Sequence, residues 1–218
     1  MNIIEVQLLT DDLEQTRHFY HEVLGLEILN VHNDVARFSA GHSVLTFYKS
    51  DNNRPVYHFA FNIPNNKFGA AMDWAGSKLK LVEITPANCV ADFRSWNAKA
   101  FYFYDNNGNI VEMIARFDLD NASQQSFDGS SIYSISEIGA VVKDPKLFAQ
   151  ELLTNNNLGF FSKQMPMDDF VAVGNDDGLF IIVTENRSWY PTSIRSSRHW
   201  AKVTIQQPGG LADITLNE

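Results

Sequence analysis

Apolar and polar residues alternate from the first positions of the chain. In Ile3-Ile4-Glu5-Val6-Gln7-Leu8-Leu9 a period of two puts Ile3, Glu5, Gln7 and Leu9 on one face and Ile4, Val6 and Leu8 on the other, the mark of a strand. Asp12 then offers a helix N-cap, and apolar residues at helical spacing (Leu13, Phe19, Tyr20, Val23, Leu24) predict a helix over 13–24 closed by Gly25. Strands follow over 26–31, 35–38 and 44–49, separated by Asn33-Asp34 and Gly41-His42 turns. The unit reads β-α-β-β-β.

The same order returns twice. The second unit has a strand over 56–63, a Pro-Asn-Asn cap at 64–66 and a helix over 67–80. Its further strands lie over 80–84, 100–104 and 110–115, the last two joined by an Asn107-Gly108 turn. The third starts with a strand over 135–142 and a helix over 145–154 that opens on Pro145. Strands over 160–162, 170–173 and 179–184 complete it, and a strand over 200–206 resembles the opening of a fourth unit. Residues 118–131, rich in Ser, Asn, Gln and Asp, read as a linker between 1–117 and 132–218. Aligned on the helix caps, Glu5 stands seven residues before Asp12, His58 seven before Asn65 and Glu137 seven before Asp144. The first strands therefore carry Glu, His and Glu at one equivalent position. The chain is α+β.

Composition narrows the function. Of 218 residues 44% are hydrophobic and 20% charged, which suits a folded core. Seventeen basic residues against 26 acidic ones leave a net charge of −9 and no basic patch, so nucleic acid is excluded as a partner. Cys89 is the one cysteine, which rules out an intrachain disulfide and a cysteine-based zinc site. The opening Met1-Asn2-Ile3-Ile4-Glu5 lacks a basic leader. No apolar run approaches the roughly 20 residues that span a bilayer, so a soluble cytoplasmic protein without membrane partners is expected. A Walker motif, a dinucleotide glycine fingerprint and a Gly-x-Ser-x-Gly elbow are absent from the sequence.

Leu9-Thr10-Asp11-Asp12-Leu13-Glu14, leading to His18-Phe19-Tyr20 and Leu24-Gly25-Leu26, resembles the opening of the vicinal oxygen chelate proteins. That superfamily includes glyoxalase I, extradiol dioxygenases, fosfomycin-resistance enzymes and bleomycin-binding proteins. Tyr102-Phe103-Tyr104-Asp105-Asn106-Asn107-Gly108-Asn109-Ile110-Val111-Glu112 resembles its second signature, usually an aromatic, Asp-Pro-Asp-Gly-Asn, two apolar residues and Glu. The resemblance covers residues 1–117 in detail and the third unit in pattern.

The resemblance implies tandem βαβββ units that pair into an open cup-shaped mixed sheet, here with a degenerate third unit and an extra C-terminal strand. It also implies a divalent metal (Fe, Mn or Zn) on Glu5, His58 and Glu112, from the first strands of units one and two and the last strand of unit two. Glu5 stands where the family usually has His. Leu45 stands where glyoxalase I supplies a carboxylate, so a three-ligand arrangement is expected rather than four. The residues support this separately. His58 shares a face with Ala60 and Asn62, and Glu112 with Ile110 and Ile114. A carboxylate among apolar neighbours is costly unless paired or holding a cation.

Glu112 and Tyr104 are the expected catalytic groups, Tyr104 through a hydrogen bond to a bound oxyanion. Gln7, Arg37, His42, Asn62 and Trp96 are expected to meet substrate, with Tyr102 and Phe47 as further pocket walls. Glu137 finds no partner at the last-strand position near Ile182, so the third unit is expected to be non-catalytic. Two functions remain open: a metal-dependent enzyme acting on a small organic substrate through neighbouring oxygens, or a metal-free protein that sequesters a small molecule. An unpaired third unit would expose sheet edges, so it is expected to pack on the first cup or to pair with its copy in a homodimer.

Overall fold

A computed structural model gives the structure and describes residues 1–32, 34–51 and 54–217; Asn33, and with it half of the expected Asn-Asp turn, lies outside them. Unit one comprises β1 (Asn2–Thr10), α1 (Leu13–Arg17), β2 (Glu27–His32), β3 (Val35–Ala40) and β4 (Ser43–Lys49). Asp12 caps α1 by accepting from the Gln15 N–H, and the helix passes into a π-helical segment over His18–Val23 that buries Phe19 and Tyr20.

Unit two has β5 (His58–Ile63), α2 (Phe68–Gly76), β6 (Ala91–Phe93), β7 (Ala98–Tyr104) and β8 (Ile110–Arg116). Unit three has β9 (Ser134–Val142), α3 (Pro145–Asn156), β10 (Phe170–Asn175) and β11 (Gly178–Thr184), and β12 (Ala201–Gln207) and β13 (Gly210–Leu216) end the chain. Two expected strands shrink to single bridges, Leu81 to Phe103 and Phe160 to Val173. Asn65 does not cap α2. Its N–H donates to Asn121 Oδ1 and its amide to the Leu119 carbonyl, which ties the linker to unit two.

Strand alternation specifies faces, not neighbours, and here the pairing departs from expectation. The first strand of unit two lies antiparallel to that of unit three, and the first strand of unit one to β12. Units two and three therefore share a seven-stranded sheet, β10-β11-β9-β5-β8-β7-β6, and unit one with the C-terminal hairpin forms a six-stranded sheet, β13-β12-β1-β4-β3-β2. The strand expected to open a fourth unit does so as β12, and β13 folds back on it.

Between the sheets lies the main core, with Val6, Leu8, Phe38 and Phe47 from one and Phe59, Phe61, Val111 and Ile138 from the other. The opposite face of the seven-stranded sheet carries its own apolar lining, including Ala60, Tyr102, Ile114 and Ile181. With apolar layers on both faces of the sheet, β5 and β8 are buried along their whole length, including the polar His58, Asn62, Glu112 and Arg116.

The Asp-Asn-Asn-Gly-Asn turn between β7 and β8 is a structural latch. Asp105 accepts from the N–H groups of Asn107 and Asn109, and Tyr20 of unit one donates to it across 2.6 Å. The linker packs as closely: a Cβ on Gly129 would stand 1.9 Å from the Leu24 carbonyl oxygen, so only glycine fits.

Candidate metal centre

Three strands bring the candidate site together in one row. On β5, Ala60 lies opposite Glu112 of β8 on one side and Glu137 of β9 on the other. Cross-strand neighbours on one face stand close enough for their side chains to meet, and a methyl group between them leaves the space above open. His58, two residues earlier on the same face, completes the cluster. Ligand atoms of His58, Glu112 and Glu137 lie within 4.8 Å of one another, and all three residues are buried.

Each side chain is prepared in a different way. His58 Nδ1 lies 3.0 Å from the Ile110 carbonyl; a carbonyl only accepts, so Nδ1 carries the proton and Nε2 presents its lone pair. A backbone bond of this kind fixes the tautomer of metal-binding histidines. Burial lowers the His58 pKa to about 4, so the ring is neutral at pH 7. Its Nε2 lies 3.7 Å from Glu112 Oε2.

Glu112 Oε1 is buried and has no hydrogen-bond partner among the described residues. Burial, then the charge of Glu137, push the Glu112 carboxyl well above the usual carboxylate range, against the opposing pull of Arg116 and the Tyr102 hydroxyl. Burial also raises Glu137, while Arg116, bonded to its Oε1, lowers it. An orphaned carboxylate oxygen, a second carboxylate and a free imidazole nitrogen are a donor set that fits a divalent cation such as Fe, Mn or Zn.

The cluster forms the floor of a cavity of about 240 Å³ with walls from Phe93, Trp96, Tyr102, Phe170, Trp189 and Tyr190. Residues 185–200, which join β11 to β12, cross its mouth and set the Trp189 ring 5.1 Å from the His58 ring. Gly139 permits this, because a Cβ there would stand 2.6 Å from Trp189 Cη2. At the unit-three position matching Glu112, two residues after Glu137 and across the strand pair, stands Ile181. No fourth ligand comes from there.

The structure brings His58 and Glu112 together but not Glu5, and this corrects the expected triad. Glu5 belongs to the other sheet, where its Oε1 accepts from Thr46 Oγ1 at 2.6 Å and Arg37 Nη2 at 3.2 Å. The reason is the crossed pairing. Glu5 sits opposite Thr204 as Glu137 sits opposite Ala60, and two residues before Thr204 stands Lys202 in place of His58, bonded to Asp213 at 2.7 Å. Glu137 takes the place expected for Glu5, so unit three, expected to be inert, supplies a wall of the site and one of its acids.

Gln7 and Arg37 stay with Glu5 on the six-stranded sheet. His42 packs edge-on against Tyr133, and Phe47 lies in the inter-sheet core. Asn62 is buried and donates to the Asp176 carbonyl and Ser134 Oγ. Among the expected substrate residues, Trp96 lines the cavity. Tyr104 is half-exposed at the end of β7, whereas Tyr102, directly opposite Glu112, is the tyrosine at the carboxylate.

Glu137 was legible as more than an inert acid. It shares its strand with Ile135, Ile138, Val141 and Val142, whereas the face of Glu5 also carries Gln7. Arg116, a charged residue ending the apolar run of β8, drew no attention in the sequence and is fully buried beside Glu137.

No curated protein matches the chain by sequence. Among solved structures, a candidate dioxygenase from Bacillus subtilis superposes with a TM-score of 0.62 at 12% identity, over 99% of this chain and 84% of that one. A single-site variant of glyoxalase I from Zea mays superposes with a TM-score of 0.58 at 13% identity, over 89% of this chain and 70% of that one. At these identities the likeness is one of fold. The family model for the Glyoxalase/Bleomycin resistance protein/Dioxygenase superfamily matches residues 2–113, just over half of the chain. With its βαβββ units and the cup they form, the chain belongs to that superfamily.

Proposed function

We propose that the protein is a metal-dependent enzyme whose cation is held by His58 Nε2, Glu112 and Glu137 and whose substrate is a small organic molecule bound in the aromatic cavity above them. The observation that carries this reading is Glu112 Oε1, a buried acceptor without a partner among the described residues, beside an imidazole whose other nitrogen is already tied. When bound, the cation supplies Lewis acidity toward two neighbouring oxygens of the substrate.

The chain supplies the rest. Trp189, Tyr190 and Phe93 keep water from the floor of the cavity, and Trp96 and Tyr102 give a flat substrate faces to pack on. Glu112 Oε1, the buried oxygen without a partner among the described residues, would bind the cation in its deprotonated form. Tyr102 replaces Tyr104 as the group that donates to a substrate oxyanion. With only two carboxylates and one imidazole, positions stay open for substrate, which suits lyase, isomerase or dioxygenase chemistry.

Metal analysis by mass spectrometry, on protein purified without added metal or a histidine tag, tests the proposal. About one ion per chain, lost in Glu112→Ala, His58→Ala and Glu137→Ala but kept in Glu5→Ala, supports it. No ion after reconstitution with Fe(II), Mn(II) and Zn(II) overturns it.

One observation favours a second reading. Arg116 already places a cation on Glu137, so the same cavity can serve as a metal-free binding site for a small apolar molecule.

We also propose a cytoplasmic location, on the acidic charge and single cysteine; no helix among the described residues is long and apolar enough to cross a membrane. The expected homodimer rested on an unpartnered third unit. Because β9 pairs with β5 inside the chain, that reason falls away, and light scattering at micromolar concentration measures the state directly.

A further inference from the structure

The geometry points to Arg116 as a positioning residue that fixes Glu137 by one oxygen and turns the other toward the cation site. It rests on the reading that His58, Glu112 and Glu137 hold a cation. Arg116 lies on the same face of β8 as Glu112, four residues on, and is fully buried. Each nitrogen of its guanidinium donates one bond: Nη2 to Glu137 Oε1, Nε to Ser136 Oγ at 3.1 Å, and Nη1 to Asp176 Oδ1 at 3.3 Å. The guanidinium also lies over the rings of Trp96 and Phe161.

A second feature of the backbone has no other evident purpose. Consecutive strand residues normally point to opposite faces, yet Ser136 and Glu137 both reach Arg116. They can because β9 bulges there: Glu137 pairs with Ala60 and Ile135 with Phe61, leaving Ser136 without an opposite residue. Bulges beside functional sites re-aim side chains, and this one aims two acceptors at one guanidinium.

The charge of the clamp is balanced outside the site. Asp176 takes the far side of Arg116, and Lys163 links Asp176 and Asp118 with bonds of 2.7 Å each. Two cations and two acids cancel, so the chain of residues acts on Glu137 by holding it, with little net repulsion toward a bound dication. Supports of this kind around metal ligands typically change affinity by about 10–100-fold when removed.

Co²⁺ binding to the full-length protein, read by calorimetry and by the visible spectrum of the bound ion, tests this. Arg116→Met is expected to weaken Co²⁺ about tenfold or more and to alter the spectrum, with Arg116→Lys restoring part of the affinity. In a Glu137→Gln background the same substitution should change the affinity less than about twofold, because the group it positions is gone. Equal effects in both backgrounds, an unchanged spectrum, or tighter binding by Arg116→Met would overturn the inference. If Arg116→Met does not fold, Asp176→Asn, which loosens the far end of the fork and its tie to Lys163, is expected to weaken Co²⁺ by about 2–10-fold and to alter its spectrum, and no change would refute the role. Failure of the parent protein to bind Co²⁺ would instead refute the cation site itself.

Discussion

Replacing Glu112 by Gln should stabilise the metal-free protein at high pH while removing its response to metal. Burial and the nearby charge of Glu137 raise the folded-state pKa of Glu112 above its unfolded value. The folded state then binds a proton more tightly than the unfolded chain, so stability is greatest below the unfolded carboxylate range and falls as pH rises toward the folded pKa. Each unit of difference is worth about 1.4 kcal/mol. Glutamine has the same shape, needs no proton, and can turn its amide toward Glu137, whose ligand oxygen lies within 4.8 Å of the cluster.

Exchanging a buried charge for a neutral group of similar shape gains on the order of 2 kcal/mol, which for a chain of this length raises Tm by about 4–8 °C. Thermal melts in EDTA at pH 6.5 and pH 9 measure it. The parent should lose stability between the two, and the variant should lose less and melt higher at pH 9. Saturating Mn²⁺ should reverse the order, since a ligand at a hundred times its Kd adds about 2.7 kcal/mol to the protein that binds it. A variant that is destabilised equally at both pH values, or that gains as much from Mn²⁺ as the parent, refutes the reasoning.

His58 has the opposite sign: its pKa falls from 6.5 to about 4 on folding, so stability is complete above 6.5 and declines as pH drops toward 4. The loss is on the order of 3 kcal/mol, and His58→Asn should flatten this acid limb in melts recorded from pH 7 to 4. Gly139→Ala places a Cβ 2.6 Å from Trp189 Cη2. Overpacking of this kind costs about 1–3 kcal/mol, and tryptophan emission should shift to the red as the ring leaves His58. Tyr20→Phe removes the 2.6 Å hydrogen bond to buried Asp105 and should lower stability in urea by about 1–3 kcal/mol, without changing metal content.

The βαβββ units were readable because each begins with an alternating strand and a recognisable cap. Asp12 and Asp144 do cap their helices. The alignment that set Glu5, His58 and Glu137 at one position rested in part on Asn65, which caps no helix. What the sequence concealed was which first strands become neighbours, since inter-strand hydrogen bonds use backbone groups that every residue carries. The choice between Glu5 and Glu137 depended on that pairing alone. The identity of same-face neighbours was the available clue, with Gln7 beside Glu5 and Gly139 beside Glu137. Arg116 lay beyond reach for a different reason. Its partners Ser136, Glu137 and Asp176 come from another unit, and one of them is presented by a bulge that alternation does not reveal.

The most direct measurement is a crystal of the protein grown with Mn²⁺ and recorded with anomalous scattering. One peak bonded to His58 Nε2, Glu112 and Glu137, with Glu137 still joined to Arg116, is the result expected. A cavity floor without a peak, or an ion held at Glu5 on the other sheet, would contradict the assignment of the metal centre.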